Sequence, residues 1–166
     1  MWSCGGRSGK QPSWACRCKS TPGSGDSDIR LLEANPTLLE ELLRTPEGRA
    51  ATILLIHGFY PWREELAHLT LAKPNVYAEL SMFNLFAAAT VAARIERVLE
   101  WAPTSKVRCG TDGHGTPESF WLGALLIQEG WAVVRQRWAA QGARQDWLKK
   151  VERDILEGNT SRLYRC

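Results

Sequence analysis

The chain has 166 residues, 44% of them hydrophobic and 23% charged, an ordinary globular composition that excludes wholesale disorder and a collagen-like fibre. Lys+Arg 21 against Asp+Glu 18 leave a net charge of +3, too mild to argue for a nucleic-acid partner or an anionic membrane surface. The longest mostly apolar stretch, Phe86 to Ala93, falls far short of the roughly 18 residues a membrane helix needs, so no membrane partner is expected.

Five cysteines in no even, spaced framework point to a reducing cytoplasm. Met1 to Gly25 is rich in Gly, Ser, Pro and Cys, carries basic residues and no acidic one, and shows neither helical nor strand periodicity. Such a stretch buries too little apolar surface to offset its ordering entropy. It also lacks the apolar core of a signal peptide. Residues 1–25 are therefore expected to be a disordered or non-native leader, and 26–166 the folded part. Cys4, Cys16 and Cys18 do not make the two close pairs of a structural zinc site.

From Asp28 the texture changes. Leu38, Leu39, Leu42 and Leu43 fall at helical spacing behind Pro36, which suits a first turn, and Pro46 and Gly48 should end that helix. Thr52 to Ile56 (TILLI) is a continuous apolar run of strand length, fit for a strand buried on both faces. After His57-Gly58-Phe59-Tyr60-Pro61, residues Trp62 to Leu71 predict a helix with Leu66 and Leu69 inward, and Val76 to Leu80 (VYAEL) a second strand. Phe83 to Trp101 predicts one long amphipathic helix, and Lys106 to Gly110 (KVRCG) a third strand. Pro117 to Ala140 and Arg144 to Leu156 predict two more helices, broken at Gly142 and ended at Gly158.

Strands separated by helices of this length imply βαβ crossovers and a parallel sheet. A flavodoxin-like or Rossmann sheet remains an alternative. However, the turns after the strands read HGFYP, SMFN and TDGHG, with no glycine-rich phosphate loop. Imidazole and carboxylate at these places favour a barrel-type α/β fold, whose chemistry sits on the loops at the C-terminal ends of its strands.

His57, Glu79 and Asp112 all fall where a strand ends, with Ser81, Asn84 and His114 just beyond. A parallel sheet brings such positions to one rim. There a neutral imidazole can ligate a metal or position water, and a carboxylate can ligate the metal and take the water's proton. Each residue also has a plainer reading: His57 as a hydrogen-bonded structural histidine, Asp112 as the head of an Asx-turn before Gly113, His114 and His68 as surface. The six tryptophans from Trp62 to Trp147 read as helix-to-core packing rather than a ligand platform. Arg135, Arg137, Arg144, Lys149 and Lys150, interleaved with acids, read as a solvated helix face.

Gly25 to Pro36 (GDSDIRLLEANP), Thr52 to Phe83 (TILLIHGFYPWREELAHLTLAKPNVYAELSMF), Ala102 to Trp121 (APTSKVRCGTDGHGTPESFW) and Ile155 to Tyr164 (ILEGNTSRLY) together resemble the C-terminal half of an amidohydrolase-related protein. The branch is one sometimes fused to glutamine-synthetase-like domains. The resemblance implies a metal-dependent (β/α)8 TIM-barrel hydrolase acting on an amide, ester or related bond of a small molecule, with a divalent metal, zinc in the usual case. It implies that TILLI, VYAEL and KVRCG are the sixth, seventh and eighth strands. His57 then binds metal or orients the attacking water, Asp112 binds metal and accepts the water's proton, and His114 lies at the substrate edge.

The chain departs from that pattern in two places. No H-x-H pair occurs anywhere, and Lys19-Ser20-Thr21-Pro22-Gly23 holds no histidine where the fifth strand should bring one. The expectation is a partial barrel of about three βα units plus the preceding helix, with a truncated or misread gene start. Its ligand set, His57 and Asp112, is incomplete. The isolated chain should bind no zinc tightly and hydrolyse nothing, and the open strand edge beside TILLI invites self-association. The alternative is a non-catalytic fragment, or a half-barrel completed by a separate N-terminal half.

Overall fold

The structure, a computed structural model, describes residues 3–4, 17–20, 30–81 and 83–164. Its five strands follow one another across the sheet in chain order: β1 (Ser3–Cys4), β2 (Arg17–Ser20), β3 (Thr52–Leu55), β4 (Val76–Leu80) and β5 (Val107–Cys109). β1 is antiparallel to β2, and all other neighbours are parallel. The register sets Ile53 beside Val76 and Ala78 beside Val107. A doubly wound sheet reverses its strand order at a switch point, whereas consecutive parallel strands make the arc of a (β/α) barrel.

Two expectations are corrected here. The sheet has a fourth parallel strand, because Arg17–Ser20 pairs with Thr52–Leu55 over its whole length. Backbone hydrogen bonding is indifferent to composition, so a Cys- and Lys-bearing segment without apolar period still pairs. The edge of β3 expected to lie open is therefore covered. The rest of the expected leader lies outside the described residues, apart from β1. Among the described residues, β5 is paired on one side only.

The helices are α1 (Glu40–Arg44), α2 (Pro46–Ala50), α3 (Arg63–Ala72), α4 (Phe83–Phe86), α5 (Val91–Leu99), α6 (Pro117–Ala140), α7 (Gln145–Arg153) and α8 (Asn159–Tyr164). α1 ends at Arg44, ahead of Pro46 as expected, but Pro46 then starts a second helix that includes Gly48. Thr45 caps it by accepting from Gly48 N–H at 3.0 Å, and proline at a first turn lacks only a donor that would be unsatisfied anyway. The long helix expected from Phe83 is broken at Ala87, which has φ −139° and ψ 52°. Asn84 there donates to Leu80 O and Gly110 O at 3.4 and 3.0 Å, holding the segment to the sheet end. Gly142, at φ +95°, ends α6 as expected. Gly158 ends nothing, since a wide π-turn over Asp154–Gly158 leads straight into α8.

β3 is buried on both faces: Ile53, Leu54 and Leu55 are 1%, 4% and 0% exposed. Ile53 and Leu55 join Val76, Ala78 and Val107 in one core with Leu66, Leu69, Ile95, Val98, Trp131 and Ile155. Fully burying each such aliphatic side chain contributes about 1.5–3 kcal/mol. Trp131 is inside, and Trp138 packs edge-on against it while stacking on Trp147. Trp101 and Trp121 are exposed, against expectation. Asn159, buried, donates to Thr104 O and Val107 O at 2.7 and 2.6 Å, pinning the C-terminal helix beneath β5. No helix among the described residues is long and apolar enough to cross a membrane.

Candidate metal-assisted hydrolytic site

The C-terminal ends of β3, β4 and β5 share one rim, and the chain leaves β3 and β5 by unusual turns. After β3, His57, Gly58 and Phe59 take positive φ of 67°, 59° and 49°; after β5, Asp112 does so at 52°. Histidine and aspartate tolerate this region better than most residues, yet each such residue still costs about 1–3 kcal/mol, so the surroundings must impose it. The left-handed turns aim the two side chains at each other. His57 Nε2 lies 3.4 Å from Asp112 Oδ1, with the side chains 20% and 30% exposed.

Asp112 does not head an Asx-turn, the plainer reading. Gly113 N–H donates to Thr111 Oγ1 at 3.2 Å, so the neighbouring hydroxyl closes the loop and the carboxylate is left to face the imidazole. His114 is exposed; its Nδ1 lies 3.1 Å from Asp112 O, which sets its ring at the outer lip of the same loop.

Glu79 sits beneath the pair, 5% exposed. Its carboxylate accepts from His57 N–H at 3.1 Å and from Ser81 Oγ at 2.8 Å. Burial pushes its pKa above the usual carboxylate value; those two hydrogen bonds and nearby Arg108 pull against it, and Asp112 adds to the rise. Glu79 thus ties the strained His57 turn to β4. Alternation along VYAEL gives no hint of this, because an outward carboxylate on a strand is common; the signal would have been Gly110, just past the end of β5, where a missing side chain leaves room for the carboxylate.

Could the pair belong to a metal centre? Two ligands each about 2.1 Å from one ion, at a tetrahedral angle, lie about 3.4 Å apart, so His57 and Asp112 fit two corners of a zinc site. Among the described residues, however, no group of three or more His, Cys, Asp or Glu could hold an ion. A catalytic zinc site needs at least about three protein ligands. The donors present do not fit the complete group.

Parallel strands following one another in chain order, with His57 at the end of β3 and Asp112 beyond the end of β5, make the arrangement of an arc of a (β/α) barrel. The amidohydrolase family model matches residues 9–166, and the chain belongs to that family. It is 32% identical over 145 residues to Protein fluG of Emericella nidulans (strain FGSC A4), covering 86% of this chain and 16% of that protein. The fold matches a crystal structure from Lactobacillus casei ATCC 334 assigned as a metal-dependent hydrolase, with a TM-score of 0.81 and 20% identity over 89% of this chain and 38% of that one. The chain thus spans about a sixth of one relative and under two-fifths of the other. The family match also begins at residue 9, well inside the expected leader.

Proposed function

We propose that this chain is the part of an amidohydrolase barrel that handles the attacking water, with β2 to β5 corresponding to the family's fifth to eighth strands. The reading is carried by the 3.4 Å approach of His57 Nε2 to Asp112 Oδ1 at the strand ends. In it, Asp112 accepts the proton of a water held against the rim by both side chains, and His57, fixed through its backbone N–H by Glu79, orients that water toward an amide, ester or related bond. His114 meets the substrate at the lip. The free Cys109 thiol suits a reducing compartment such as the cytoplasm.

The family's divalent metal, zinc in this reading, would need donors beyond His57 and Asp112. The isolated chain accordingly neither holds zinc tightly nor turns over substrate. Dialysis of the zinc-loaded chain followed by metal analysis and a panel of ester and amide assays tests this. Substoichiometric zinc and no turnover are expected; stoichiometric retention with turnover overturns the reading of an incomplete site. Among the described residues β5 is paired on one side only, which favours a second reading, a non-catalytic half-barrel completed by another chain or by self-association. Sedimentation at rising concentration checks the latter.

A further inference from the structure

α6, a helix of 24 residues, carries apolar side chains on all its sides. Ile127, Trp131 and Val134 turn inward, whereas Leu122 and Val133 are exposed and Trp121 is 67% exposed. A helix that is apolar all round is normally covered all round. The same helix also offers a seat for an indole. Toward its C-terminal end a groove runs beside the start of α7, lined by Ala132, Arg135, Gln136, Ala139 and Gln145. Ala132 and Ala139 follow Trp121 by 11 and 18 residues, about three and five helical turns, so the protruding ring and the groove share one outer face. The two alanines keep the floor of the groove low. Arg135 stands at its side, with Nη1 3.5 Å from Glu152 Oε2 of α7. A guanidinium held edge-on by a carboxylate still presents its flat face to an aromatic ring.

Within one molecule Trp121 cannot reach that groove, since roughly 20 Å of helix separates them. A knob and a socket at opposite ends of one helix face are, however, self-complementary about a two-fold axis that crosses the helix. Two α6 helices packed antiparallel about Gln128, at the shallow crossing of about 20° that a long contact requires, put each Trp121 in the other's groove. Gln128 follows Trp121 by 7 residues, so it lies on the same face and there meets its own copy. The antiparallel sense sets Glu118, in the first turn, toward the Arg135 end of the other helix and opposes the two helix dipoles. A parallel pairing would set Trp121 against Trp121 and leave both grooves unfilled.

We propose that this chain forms a two-fold dimer with a second copy of itself through the outer faces of α6, Trp121 of each copy seated on Ala132 and Ala139 of the other beside Arg135. A buried tryptophan in a close-fitting pocket is the kind of contact that dominates an interface. The surface shares no residue with the edge of β5 or with the rim of His57 and Asp112, so the dimer goes beyond the hydrolytic reading and does not rest on it.

The test is sedimentation velocity of the full chain over a series of rising concentrations. The wild type should pass from monomer to dimer. Trp121→Ala and Ala132→Glu should each weaken the dimer by about tenfold or more while far-UV circular dichroism stays unchanged. Gln128→Glu, which brings two like charges together on the axis, should also weaken it, and Gln128→Leu should tighten it. Leu32→Ala, at an exposed leucine ahead of α1, should leave it as it is. A wild type that stays monomeric throughout overturns the dimer. So does an association indifferent to Trp121→Ala, which would place the contact at the edge of β5 or on another face. A dimer that responds to Trp121→Ala but not to Ala132→Glu overturns the seating of the indole in the groove. Zinc retention and turnover are read separately, so failure of either proposal leaves the other standing.

Discussion

Gly110 exists to make room for Glu79: a Cβ on Gly110 would sit 2.1 Å from Glu79 Oε1. The glycine follows β5 and the carboxylate closes β4, so one missing side chain on one strand admits an ionisable group on the next. That group holds the backbone of His57 on a third. The rim is built from across-sheet complementarity between its strands.

Gly110→Ala is therefore expected to destabilise the fold by about 1–3 kcal/mol, the usual cost of forcing atoms into a packed place. Glu79 or the Gly110 backbone must shift, and the His57 turn loses its anchor. Urea unfolding measures the first effect, and the histidine ring resonances of His57 report the second.

Glu79→Gln should cost under about 1 kcal/mol at neutral pH, because the amide keeps an acceptor and relieves the burial that already disfavours the charged form. Glu79→Ala should cost about 2 kcal/mol, since His57 N–H and Ser81 Oγ both lose their acceptor. Thermal melts of the two variants side by side separate them. A Gln variant as unstable as the Ala variant would mean that the negative charge itself holds the turn.

The left-handed backbone of Asp112 predicts an ordered series. Asp112→Asn should leave stability within about 0.5 kcal/mol, as Asn tolerates this region, and Asp112→Gly should raise it by about 1 kcal/mol by removing strain. Asp112→Ala should lower it by about 1 kcal/mol. Chemical unfolding at fixed pH gives the order directly. A Gly variant less stable than wild type would show that the contact with His57 outweighs the strain.

Asp154 predicts the acid limb of stability. Burial alone would raise its pKa, but hydrogen bonds and charge from Lys150 and Arg162, at 2.5 and 3.0 Å, outweigh it and hold the carboxyl below its ordinary value of 3.8. A depressed folded pKa stabilises the fold above 3.8, and this contribution is lost as pH falls from there through the folded value. Asp154→Asn should cost about 2 kcal/mol at pH 7 and little at the acid end. Stability curves measured from neutral pH down to acid check both halves.

How much of this was legible beforehand varies by element. TILLI reads as a strand because its continuous apolar run leaves little alternative, while VYAEL and the weaker KVRCG are interrupted by charge; His57 and Asp112 stood out because chemistry-bearing residues at strand ends of a parallel sheet gather on one rim. Pro117 and Ala140 bound α6 where composition placed them. β2 was not legible, since its pairing is a backbone event with no side-chain period to announce it. Nor was the break at Ala87, which depends on Asn84 reaching carbonyls of two different strands.

What the chain determined by itself was the alternation of apolar runs and helices, because burial periodicity is a local property of residue order. Tertiary structure alone decided the 3.4 Å meeting of His57 and Asp112 and the carboxylate beneath them. Those relations join residues 22 and 55 positions apart through the spacing and twist of a sheet, and no local preference encodes a distance of that kind.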